Sequence, residues 1–89
     1  MFGKRRIPKG ERELRAYAAS LSQEERYDAF AEYLEMLAAE TDPQRYDISQ
    51  VRQIYSIGLC FLEGYHGDII DLMSAKLGFD IDWLYSIRL

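Results

Sequence analysis

Residues 54–62 read Ile-Tyr-Ser-Ile-Gly-Leu-Cys-Phe-Leu, and no other stretch of the chain limits its fold as much. Across residues 48–63 the polar side chains Ser49, Gln53, Ser56 and Glu63 recur three, four or seven positions apart. That spacing is one narrow stripe on an α-helix. Ile54, Tyr55, Ile57, Leu59, Phe61 and Leu62 occupy the other sides. A helix that is apolar nearly all round has to be covered by other helices. The expected fold is therefore all-α, a compact bundle of four to five short helices around a central buried helix at about 48–64. Gly58 in the middle of that helix costs ~1 kcal/mol relative to alanine, which points to close approach of a neighbouring helix.

Local signals place the covering helices. From Gly10, the residues Leu14, Tyr17, Ala18 and Leu21 recur at i, i+3, i+4 and i+7 and predict a first helix. Glu11 and Arg15 form an outer i, i+4 pair worth ~0.3–0.5 kcal/mol. Ser22-Gln23-Glu24-Glu25 is a capping box that opens a second helix. Its expected buried face is Tyr27, Phe30, Leu34 and Leu37. It should stop before Asp42-Pro43, because proline disfavours helical geometry in the residue before it. Asp47-Ile48-Ser49-Gln50 is a second capping box, at the start of the central helix. Gly64-Tyr65-His66-Gly67 reads as a turn. A fourth helix then starts near Asp68, carries Ile69, Ile70, Leu72, Met73 and Leu77, and ends at Gly78.

Residues 79–89 admit two readings. Phe79, Ile81, Trp83, Tyr85, Ile87 and Leu89 alternate as in a strand, while Asp80 is a good helix cap and Ile81, Leu84 and Tyr85 line a helical face. A strand needs a pairing partner, and no other segment reads as one. A short helix is thus favoured over a lone strand, whose partner would have to be another chain. Residues 1–9 read as a flexible basic arm, and residues 10–89 as a single helical domain.

Eighty-nine residues suffice for one domain of modest stability. No apolar stretch reaches the ~18 residues a membrane span needs, and no signal-type apolar run follows Lys4-Arg5-Arg6, so a cytoplasmic protein is expected. The single cysteine, Cys60, allows no internal disulfide and reads as a small buried hydrophobe. Charge is uneven. Residues 1–15 hold six basic and two acidic side chains, a balance of +4, and residues 16–89 hold five and thirteen, a balance of −8. A basic arm on an acidic body is a signal about partners rather than fold.

The chemistry-bearing inventory is thin. His66 is the only histidine and lies six residues after Cys60 in an expected turn. Zinc needs about four nitrogen or sulfur ligands, and this chain offers two. Glu63, His66 and Asp68 could make only a loose site, and no glycine-rich loop follows a strand. Neither an enzyme nor a cofactor is expected. Asp71–Leu84 (DLMSAKLGFDIDWL) loosely resembles the closing segment of repressor-type helix-turn-helix domains over fourteen residues. No segment matches the recognition helix of those domains, so their function is not carried over.

The second helix and the aromatic content carry the functional expectation. Asp28, Glu32 and Glu35 form an acidic stripe at i, i+4 and i+7. Seven acids between residues 24 and 42 span ~27 Å at helical rise. That is one charge per ~4 Å, against one per ~1.7 Å on duplex DNA. The stripe is therefore a weak phosphate mimic, and a solvated helix face is the favoured explanation. Tyr33 and Met36 widen the apolar arc of the same helix, either to meet a second neighbour within the bundle or to meet a partner. Tyrosine and tryptophan favour interfaces, because they bring large area with a polar handle. The expected function is a small non-enzymatic protein-binding module, an inhibitor, immunity, adaptor or regulatory protein acting by occlusion. The residues expected to touch the partner are Tyr33, Met36, Asp28, Glu32, Glu35, Trp83 and Tyr85. The alternative is nucleic-acid binding through Lys4, Arg5, Arg6 and Lys9, against which the acidic body argues. A homodimer joined by residues 79–89 is compatible with either.

Overall fold

In the computed structural model, which describes residues 10–40, 42 and 45–89, five α-helices follow one another: α1 (Glu11–Ala19), α2 (Gln23–Glu40), α3 (Ile48–Phe61), α4 (His66–Leu77) and α5 (Ile81–Ser86). No strand occurs among the described residues. The all-α expectation and the helical reading of 79–89 both hold. The basic arm at 1–9, with Lys4, Arg5, Arg6 and Lys9, lies outside the described residues.

Both capping boxes form. The Glu25 amide donates to Ser22 Oγ at 3.3 Å, and the Ser22 amide donates to Glu25 Oε1 at 2.9 Å. At the start of α3 the Gln50 amide donates to Asp47 Oδ1 at 2.8 Å, and the Asp47 amide to Gln50 Oε1 at 3.0 Å. Each box satisfies two amides that the first helical turn leaves without partners. Gly78 ends α4 at φ 76°, a left-handed position that favours glycine. Asp80 caps α5 through the Asp82 amide. The C-terminal end of α1 is closed differently. Arg26 Nε donates to the carbonyls of Ala18 and Leu21, at 2.8 and 3.2 Å, placing a cation on the negative end of the helix.

All five helices contribute to one core that includes Leu14, Phe30, Leu34, Val51, Phe61, Ile69, Met73 and Leu84. Gly58 marks its tightest point. A Cβ added there would lie 2.7 Å from Ile69 Cγ2 and 2.9 Å from Phe30 Cζ. The missing side chain lets α2 and α4 close on α3, as the sequence led us to expect.

Three expectations need correction. First, α3 is not covered all round. Its buried residues are Val51, Ile54, Tyr55, Gly58 and Phe61, whereas Leu59 is 38 % exposed and Ile57 and Cys60 are half-buried. Helices α1, α2 and α4 reach only part of its circumference, and scattered apolar side chains on a surface are ordinary. Second, the buried face of α2 is turned: Ala29, Phe30, Tyr33 and Leu34 are buried, while Tyr27 is 42 % exposed. The Phe30 ring stacks with Tyr33 and Phe61 and sets that rotation. Third, α4 begins at His66 rather than Asp68, since the chain reverses earlier, over residues 62–65, where Gly64 takes φ 88° and the Tyr65 amide donates to the Leu62 carbonyl at 2.9 Å.

The longest helix pairs most closely with α4. The two run side by side in the same direction. Gln23, in the first turn of α2, donates to the Tyr65 hydroxyl just before α4. Toward their other ends Lys76 of α4 meets Glu35 of α2 at 2.6 Å. The seam between them carries Asp28, Glu32 and Glu35 of the predicted contact residues.

Candidate functional site

Two recesses lie along the α2–α4 seam. The one at the first turns is a shallow, open depression of about 240 Å³ lined by Gln23, Glu24, Tyr27, Leu62, Tyr65 and Asp68. The second encloses about 460 Å³ and is lined by Tyr27, Asp28, Ala31, Glu32, Glu35, Leu72 and Lys76. Tyr27 lines both, so they form one continuous surface. Helical spacing explains the lining. Tyr27, Ala31 and Glu35 stand four apart on α2, and Asp68, Leu72 and Lys76 stand four apart on α4.

The chemistry of this surface is acidic and aromatic. Leu62, which is buried, floors the first recess, whose other lining residues include Tyr27 and Tyr65, 42 % and 44 % exposed. Glu24, Asp28 and Asp68 have no ion-pair partner among the described residues. Glu35 pairs with Lys76, the one cation among the described residues that line the second recess.

The predicted contact residues divide. Asp28, Glu32 and Glu35 come together on the seam. Met36 is half-buried and packs against the core, next to the stripe rather than on the seam. Tyr33 is 7 % exposed and belongs to the core. Burial, with the nearby Tyr46 and Glu40 adding to it, raises its hydroxyl pKa. Trp83 is half-buried against Phe79, with ring centroids 5.8 Å apart. Tyr85 is 51 % exposed and sits 6.1 Å from the His66 ring. Both belong to α5, which packs on α4, and their ring neighbours lie outside α2.

Sequence reasoning missed Tyr27, Tyr65, Leu62 and Gln23. Tyr65 carried a usable signal, since an aromatic residue in a glycine-flanked turn has few ways to reach a core. Tyr27 carried none, because it fits the apolar period of α2 as well as Tyr33 does.

The other chemical candidates resolve into local contacts. The His66 ring is hydrogen-bonded through Nδ1 to the Tyr55 hydroxyl and lies edge-on to the Tyr55 ring. Cys60 Sγ rests 3.5 Å from the Ser56 carbonyl, and burial pushes the thiol up. Among the described residues no three His, Cys, Asp or Glu side chains gather where they could hold a metal ion, and no helix is long and apolar enough to cross a membrane. No protein-family model, no curated protein and no solved structure matches this chain.

Proposed function

We propose that this chain is a small, non-enzymatic, cytoplasmic protein-binding module of the inhibitor, immunity, adaptor or regulatory kind. It works by laying the α2–α4 seam over a basic surface of another protein. One observation carries the reading: Tyr27 joins the two recesses into one strip, with exposed tyrosine rings at one end and carboxylates along its length. Exposed tyrosines supply contact area at low entropic cost. The carboxylates select a cationic partner and speed its approach.

The test is affinity capture from lysate of the native host, followed by rebinding of the captured protein to a variant carrying Asp28→Lys and Glu35→Lys. Both side chains are exposed, so helicity should survive. Rebinding should fail. Unimpaired rebinding would move the contact surface elsewhere. Capture of nucleic acid instead, with a steep salt dependence, would overturn the reading in favour of Lys4, Arg5, Arg6 and Lys9.

A further inference from the structure

We propose that the recess at the first turns of α2 and α4 is a socket for a single arginine side chain of the partner protein. The inference rests on the reading of the seam given above and names the chemistry of its anchor. At about 240 Å³ the recess is smaller than pockets for drug-sized ligands, which run ~300–1,000 Å³. Its size suits one long side chain. The floor is the apolar Leu62, and the walls are the exposed rings of Tyr27 and Tyr65. An aliphatic stem can lie on such a floor while its charged head stays near water. A cation over a tyrosine face is attracted by the ring quadrupole, and arginine uses this contact more often than lysine.

The rim fixes the sign of the ligand. Glu24 and Asp68 stand on either side, unpaired among the described residues. Both lie in first helical turns, where each helix presents about half a positive charge. Two half-charges offset only one of the two carboxylates, so about one negative charge remains and an anion is repelled. The dipoles account for acids at these positions. They do not account for two exposed tyrosines, one of them hydrogen-bonded to Gln23, beside an apolar floor. The protein also seats a cation of its own in the neighbouring recess. Lys76 lies there beside Leu72 and Ala31, with its ammonium 2.6 Å from Glu35.

The test is an NMR titration of the full chain with N-acetyl-arginine methylamide, its lysine counterpart and its uncharged citrulline counterpart. The amide signals of Tyr27, Leu62, Tyr65 and Asp68 should move saturably with arginine. Lysine should bind roughly threefold more weakly, and citrulline should leave the signals in place. Tyr27→Leu keeps apolar bulk and removes the ring, and should weaken arginine binding by about threefold or more. Tyr65→Phe keeps the ring and should bind as the wild type does. Equal shifts with citrulline, non-saturating shifts spread over the whole acidic surface, or a Tyr27→Leu variant that binds normally would each overturn the socket. The two proposals fail separately. A captured partner that is lost with Asp28→Lys and Glu35→Lys but retained by Tyr27→Leu keeps the seam and removes the socket. If no protein is captured at all, the seam reading falls, while the arginine titration still decides the socket.

Discussion

Gly58 is the residue on which the helix contacts converge. As a helical position it favours alanine by ~1 kcal/mol. As a packing position it disfavours alanine, because the added Cβ would meet Ile69 Cγ2 at 2.7 Å and Phe30 Cζ at 2.9 Å and one of them would have to shift. Both neighbours are fully buried, so neither has free space to move into. Overpacking a filled core costs ~1–3 kcal/mol, which outweighs the propensity gain. We expect Gly58→Ala to lower stability by roughly 1 kcal/mol, and Gly58→Leu to lower it further. Urea unfolding monitored by helicity measures this. A midpoint equal to or above that of the wild type would show that α2 and α4 can move back at no cost.

At the scale of elements, what could be read from the sequence follows how local each interaction is. The two capping boxes, the Gly78 terminus and the Asp80 cap each involve partners within four residues, so the sequence alone specifies them. The rotation of α2 is not local. Tyr27 and Tyr33 each fit an apolar face that includes Phe30 and Leu34. The choice between them depends on where Phe30 finds space, and that space is the gap over Gly58, twenty-eight residues away. The candidate site inherits this division. Its acidic wall was legible as a stripe on one helix. Its aromatic end was not, because Tyr27 and Tyr65 meet only when α2 and α4 run in parallel. The local devices have testable weight. Asp47→Ala removes the side chain that accepts the Gln50 amide at 2.8 Å, and losing such a cap costs ~0.5–2 kcal/mol. Asp47→Asn keeps an acceptor and should recover most of that loss. Thermal melts of the pair check this, and equal destabilisation by both would mean that charge, not the cap, is what matters.

For the whole molecule the question is how a six-residue helix at the end of the chain holds its place. Helix α5 is far too short to be stable alone. It is fixed by Leu84, which is fully buried, and by Arg52 of α3, which donates to the Ile87 carbonyl at 3.2 Å. At ~0.05–0.15 kcal/mol per residue, a chain of this length has about 4–13 kcal/mol of stability in all. Leu84→Ala should remove ~2–5 kcal/mol, a large share of that total. Tyr85 is its neighbour in sequence but is 51 % exposed, and Tyr85→Ala should change stability by about 0.5 kcal/mol or less. The same geometry bears on self-association through residues 79–89. Trp83 is already engaged with Phe79, which leaves Ile81 and Tyr85 as the large apolar side chains of α5 that are open to solvent. A six-residue helix is only ~9 Å long, whereas a stable dimer buries ~1,200–2,000 Å². Sedimentation should therefore report one chain for the wild type and for Tyr85→Ala over a wide concentration range. A concentration-dependent mass that the Tyr85 substitution abolishes would show instead that this end of the bundle is a dimer contact.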